Sequence, residues 1–314
     1  MIEEHIVRLH EMILLTNKTQ HNMKKILMAI AAVALLVGCT KETINENENE
    51  NENGAAEYDT VNFYFSPYQM SPMKGGEKTT TSVATVCSRL DIYIIDIAEG
   101  DTMRWHQERT VTGAGFGMAS AVLKTNKTYR LVAVGHNSTD TVAMTGGVLS
   151  FPDNIIKQTM VADTVFCPGD GLSLSVTMRR IVGMFKMRVT DEIPGDVTGF
   201  QFTVSSSGRK WNLPTMTSAD PGVRLVAINS TSTDNNGVAV YNVYIMADNM
   251  TAVKYVDVTA KAITVGGDGE EREFSQVPIQ NGYVTTYSGT FFITFDMGFT
   301  FLVGEWGDGG NYDF

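Results

Sequence analysis

Residues Leu172 to Val189 read LSLSVTMRRIVGMFKMRV, and this stretch decides the fold class. Leu172 to Met178 alternates apolar and hydroxyl side chains, which is the period of a strand with one buried face. Gly183 to Val189 alternates again, now apolar against basic. Two strands back to back, with Arg179-Arg180 between them, read as one strand set closing and a second opening. The expected boundary falls at Met178, giving strand sets over 57–178 and 179–314.

Outward from this junction the texture is the same in both directions. Upstream stand Val61 to Phe65 (VNFYF), Leu90 to Asp96, Met103 to Arg109, Ser120 to Leu123 and Thr128 to Val134 (TYRLVAV). Downstream stand Gly199 to Val204, Val238 to Ile245, Tyr255 to Val265, Thr290 to Asp296 and Phe299 to Val303. Turn chemistry separates them, for example Gly169-Asp170-Gly171 and Asp234-Asn235-Asn236-Gly237. Short strands at near-regular spacing imply an all-β chain of sandwiches. One short helix is expected over Phe151 to Ala162, opened by Pro152.

The N-terminus has a different texture. Met23-Lys24-Lys25 is a short positive region, Ile26 to Val37 is an almost unbroken apolar run, and Gly38-Cys39 ends it. That order is a secretory leader, and the run is too short to span a bilayer. Met23 is the expected start, with 1–38 comprising an upstream extension and the leader. Leu36-Val37-Gly38-Cys39 resembles the lipobox of bacterial lipoproteins, which implies cleavage between Gly38 and Cys39 and lipid on Cys39. The alternative is a secreted protein cut near Gly38 with Cys39 incidental. Lys41 to Gly54 (KETINENENENENG) is polar, acidic and low in complexity, so 39–56 is expected to be a disordered tether. Fully extended, it reaches on the order of 45 Å.

The chain carries 24 basic and 35 acidic residues, a net charge of −11. The residues ahead of Cys39 hold four of the basic and three of the acidic ones, leaving 20 against 32, a net of −12. This excess argues against nucleic acid as a partner. Cys87 and Cys167 lie in the strand-rich part, and an oxidising compartment would permit them to pair; the alternative is two small buried hydrophobes.

Four segments resemble a known family: VNFYF with SRLDIYIID (Ser88 to Asp96), TYRLVAVGHN (Thr128 to Asn137), SVTMRRIVGMFKMRV (Ser175 to Val189) and GTFFITFDMGFTFLVGEW (Gly289 to Trp306). Together with the leader they are similar to the fimbrillin superfamily of Bacteroidetes pili, and within it to FimB/Mfa-type anchor lipoproteins. The resemblance implies two tandem transthyretin-like β-sandwiches. It implies fimbrillin-type pilus subunits and outer-membrane lipid as partners, and a surface-exposed, lipid-anchored place in a fimbrium. In such pili, shaft subunits lose a first strand to an arginine-specific protease, and a neighbour's strand fills the groove. Between Cys39 and Cys87 this chain has no Arg, and the first is Arg89. That favours a subunit that keeps its first strand, as an anchor would. Cleavage by another protease at Lys74 or Lys78 is the alternative.

No catalytic constellation, metal site or cofactor motif emerges. From Cys39 onward the histidines are His106 and His136. A Ser-His-Asp triad or multi-His metal site needs more convergent chemistry. His106 reads as a surface residue and His136 as part of a turn. A surface adhesin or glycan-binding lipoprotein, facing host or glycan ligands, is the competing function. Such a site needs an aromatic platform, for which Trp105, Trp211 and Trp306 are the candidates, with Trp211 the most loop-like.

Overall fold

The structure is a computed structural model that describes residues 57–68, 82–151, 159–292 and 300–305. The leader, Gly38, Cys39, the acidic tether, Lys74, Lys78 and Trp306 lie outside the described residues. No helix among the described residues is long and apolar enough to cross a membrane.

The first strand set contains β1 (Tyr58–Pro67), β2 (Arg89–Asp96), β3 (Thr102–Glu108), β4 (Met118–Lys124), β5 (Tyr129–His136), β8 (Met160–Phe166) and β9 (Ser173–Arg180). They join in the order β3-β2-β5-β8-β9-β1-β4. The β8–β9 seam is short, pairing Met160 with Arg180 and Val161 with Arg179, so the sheet folds over there into two layers. Val61, Phe63 and Phe65 of β1 meet Leu90, Ile92 and Ile94 of β2 and Leu131 of β5 in the core between the layers.

The second set repeats this plan. It contains β10 (Gly183–Val189), β11 (Val197–Ser207), β14 (Gly222–Ile228), β15 (Ser232–Thr233), β16 (Ala239–Ile245), β17 (Lys254–Thr264), β18 (Gly267–Ile279), β19 (Tyr283–Gly289) and β20 (Thr300–Glu305). β1 lies between an antiparallel β4 and a parallel β9, and β10 lies in the same way between β16 and β19. The order β3-β2-β5-β8 has its counterpart in β14-β11-β17-β18. Phe185, Phe200, Phe202, Tyr241, Phe274 and Phe291 fill the second core, with ring centroids as close as 4.4 Å for Phe200 and Tyr241. Offset and edge-on contacts of this kind add to simple burial.

A third layer joins the two sets. The hairpin β6 (Ala143–Thr145) and β7 (Val148–Ser150) pairs with the hairpin β12 (Lys210–Asn212) and β13 (Thr217–Ala219), in the order β13-β12-β7-β6. Gly146 and Gly147, at φ +57° and +78°, supply the two-residue turn that only left-handed backbone permits. This small sheet covers the outer face of β2, β5 and β8. Tyr93, Val132, Val134 and Val161 there pack with Leu149, Trp211, Leu213 and Met246, and with Ile181 and Val182 of the junction. β2 is therefore buried on both faces.

Three expectations are corrected. Met160 to Ala162, expected at the end of a short helix, begin β8, because they pair with Gly135, Val134 and Ala133 of β5; residues 152–158 lie outside the described residues. Residues 290–292 are not in a strand. Their backbone is instead held by Asp191, whose Oδ1 and Oδ2 accept from the Phe291 and Phe292 N–H groups. Cys87 does not pair with Cys167: Cys87 is a free, buried thiol. Its Sγ lies beside Gly135, while Cys167 contacts Thr128 at the other end of β5. Seven residues of strand separate those ends by about 23 Å, well beyond disulfide reach.

Candidate functional site

The expected function turns on the first strand, and the structure gives its seat in detail. β1 is an inner strand, one in from the edge of its sheet, paired with Met118 to Lys124 on one side and Ser173 to Met178 on the other. Inward residues alternate as the sequence requires: Val61 and Phe63 are fully buried and Phe65 nearly so. Phe63 meets Phe166 edge-on at 5.5 Å. Burying each such side chain contributes about 2 kcal/mol. Both ends are fastened. Glu57 O accepts from Thr125 N at 3.0 Å, and Asp59 Oδ2 from Gly171 N at 2.7 Å. At the far end Tyr68 N donates to Met178 O, and Arg179 lies over the Tyr68 ring at 5.1 Å.

Arg89, the first arginine after Cys39, is out of reach. It is 4 % exposed. Its Nε donates to Asp91 Oδ1 at 3.1 Å, Nη1 to Glu108 Oε1 at 3.0 Å and Thr139 O at 2.9 Å, and Nη2 to Thr141 Oγ1 at 2.8 Å. Asp91 also accepts from Val142 N at 3.0 Å and lies 3.1 Å from His136 Nε2. His136 Nδ1 accepts from Ser138 N at 3.2 Å, so the ring proton that faces Asp91 sits on Nε2. Burial pushes the Asp91 carboxyl up, but the hydrogen bonds from His136 and Val142 and the charge of Arg89 outweigh it, and its pKa lies below the usual range. Tyr93 OH completes the network by donating to Val142 O. The network ties residues 138–142 to β2.

His136 is therefore a buried strand residue rather than a turn residue. Its identity in the sequence carries no mark of this; the contact to Asp91 bridges 45 residues. His106 is exposed on β3, 3.8 Å from Glu108. Among the described residues no group of His, Cys, Asp and Glu side chains converges as a metal site.

Trp211, the candidate glycan contact, is fully buried. It is the central residue of β12, directly opposite Leu149 of β7, and its ring fills the layer between the strand sets. No glycan reaches it in this fold. Trp105 is half-buried against the first core. Among the described residues the exposed aromatic side chains lie elsewhere: at Tyr58, Tyr64 and Tyr68 of the first strand set, which are 56 %, 46 % and 46 % exposed, and at Tyr255 of the second, 60 % exposed.

No family model matches the chain, and no curated protein matches it in sequence. Solved structures do match. A candidate adhesin from Bacteroides thetaiotaomicron superposes with a TM-score of 0.51 at 10 % identity, covering 80 % of this chain and 97 % of the adhesin. The two chains share a fold. A fimbrial assembly protein from Parabacteroides distasonis is similar at a TM-score of 0.41 and 8 % identity, over 80 % of this chain and 96 % of that one. The fimbrial anchor protein Mfa2 from Porphyromonas gingivalis is similar at a TM-score of 0.41 and 12 % identity, over 79 % and 98 %.

Proposed function

We propose that this chain is an outer-membrane lipoprotein, lipidated on Cys39, that serves as an anchor or accessory subunit of a fimbrium. The observation that carries the reading is the pairing of a fully seated β1 with a buried Arg89. A protease specific for arginine would need a reachable Arg ahead of β2. Between Cys39 and Cys87 the sequence has none, and Arg89 has its guanidinium engaged on four sides. β1 thus stays joined to Cys39 through the chain, and the lipid stays on the folded body. Several acyl chains, each CH₂ contributing roughly 0.8 kcal/mol on burial, hold such a body at a membrane without a spanning helix. The role is structural rather than enzymatic. Its partners are fimbrillin-type subunits and outer-membrane lipid.

Two experiments test it. Palmitate labelling should mark the wild-type chain and not Cys39→Ala. Deleting the gene should release fibres from the cell; fibres that remain attached at normal length would refute the anchor role.

A second reading, a surface adhesin or glycan-binding lipoprotein, draws on the fold shared with the candidate adhesin and on the exposed Tyr58, Tyr64 and Tyr68. A glycan array probed with wild type and Tyr64→Ala separates the two: loss of a specific glycan signal in the variant favours the adhesin.

A further inference from the structure

The outward sides of β4, β1 and β9 form one continuous face of the first strand set. Successive residues of a strand point to opposite sides. With Val61, Phe63 and Phe65 turned into the core, Tyr58 and Tyr64 turn out. The register sets Lys124 beside Tyr58, and Met118 and Ser175 on either flank of Tyr64. Tyr68 and Arg179 close the far end, the guanidinium lying over the ring at 5.1 Å. The third layer covers β2, β5 and β8 and leaves this face open.

Three features define what the face would take. The first is its composition. Its outward residues are tyrosines, small hydroxyl or amide side chains, Met118, Val122 and the two cations, with no carboxylate among them. The neighbouring Asp59 has the opposite parity and is held by the Gly171 N–H at 2.7 Å. A tyrosine combines an apolar ring with a polar tip, and hydroxyls both donate and accept. A sugar ring presents the matching pair, a C–H face and a rim of hydroxyls. Ser120 separates Met118 from Val122, so the face lacks the apolar centre that a protein partner or a membrane requires.

The second feature is charge. Lys124 and Arg179 have no carboxylate partner among the described residues. On the corresponding face of the second strand set, Arg188 of β10 is neutralised by Asp234. In a chain of net charge −11, a cationic face free of carboxylates favours an anionic ligand over a neutral one. The third feature is length. From Tyr58 to Tyr68 the chain runs about 33 Å, with one cation near each end. That suits an extended polymer with spaced acidic groups, not a single sugar.

We propose that this face binds an extended acidic polysaccharide, laid along β1 with sugar rings on Tyr58, Tyr64 and Tyr68 and carboxylates toward Lys124 and Arg179. The inference deepens the adhesin reading and rests on it.

The test is calorimetric titration of the full chain with hyaluronan oligosaccharides, in which acidic and neutral sugars alternate, and with neutral dextran oligosaccharides of equal length. Hyaluronan should bind at least tenfold more tightly than dextran, and added salt should weaken it. Tyr64→Ala should lower the affinity at least tenfold. Ser175 is exposed beside Tyr64. Ser175→Glu should weaken hyaluronan binding and Ser175→Lys should tighten it, opposite effects that a folding defect does not produce. If dextran binds as tightly as hyaluronan, or the two Ser175 variants bind alike, the adhesin reading stands and this proposal falls. If neither oligosaccharide binds, the proposal falls, and the glycan array decides the adhesin reading separately. Binding to phosphatidylglycerol vesicles in place of hyaluronan, altered in the same way by the Ser175 variants, would assign the face to a membrane and overturn the proposal.

Discussion

Trp211 stands directly opposite Leu149 in the ladder that joins β12 to β7, so a strand of the second set completes a sheet begun by the first. The indole is buried on all sides by residues of both sets. Trp211→Ala should therefore destabilise the protein by about 3 kcal/mol, read as a lowered midpoint in urea. Binding on a glycan array should be the same in this variant as in wild type.

The Arg89–Asp91–His136 network makes a pH-dependent contribution. The folded Asp91 carboxyl titrates below its unfolded value, so its stabilisation is complete above the unfolded pKa of about 3.9. It is lost as pH falls through the lower folded pKa. Asp234 acts in the same direction: burial raises its carboxyl, and the Val238 N–H and Arg188 more than compensate. Asp91→Asn, which leaves Arg89 without its buried counter-charge and only the half-exposed Glu108, should cost about 3 kcal/mol at pH 7. Urea midpoints should fall below about pH 4 in wild type and less steeply in the variant.

Burial of β1 and Arg89 makes a prediction for proteolysis. An arginine-specific protease should leave the Arg89–Leu90 bond intact in the native chain and cut it after denaturation, as mass spectrometry of the fragments would show. Phe63→Ala should destabilise the chain by about 3 kcal/mol and raise amide exchange along β1.

Cys87 is expected to be inert. Burial pushes its thiol pKa up to about 12, so little thiolate forms near neutral pH. Peptide mapping after iodoacetamide treatment at pH 8 should find Cys87 unmodified in the native protein and alkylated in urea.

Much of the fold was legible because most strands have one buried face. LSLSVTM and GMFKMRV alternate, and they are β9 and β10 within two residues. β18 carries no such pattern, because its first half is charged and exposed and Pro278 interrupts it; Phe274, Val277 and Ile279 are its buried residues. The three-residue strands β6, β7, β12 and β13 are too short for any period to register. Their one local signal is Gly146-Gly147, a hairpin turn between AMT and VLS. The burial of Trp211 and His136 is not legible in the sequence for a common reason: each is covered by residues distant in sequence, and only the folded topology brings these together.

The seat of β1 has a mechanical consequence. Its partners run alongside it on both flanks, so a tension entering at Tyr58 acts along the strand axis and loads both ladders in shear. Bonds sheared together share the load, whereas bonds at a peeling edge break one after another. A tether attached ahead of Tyr58 would therefore pull on the first strand set in its stiffest direction, and the force would pass onward through the sheet that Leu149 and Trp211 hold in common.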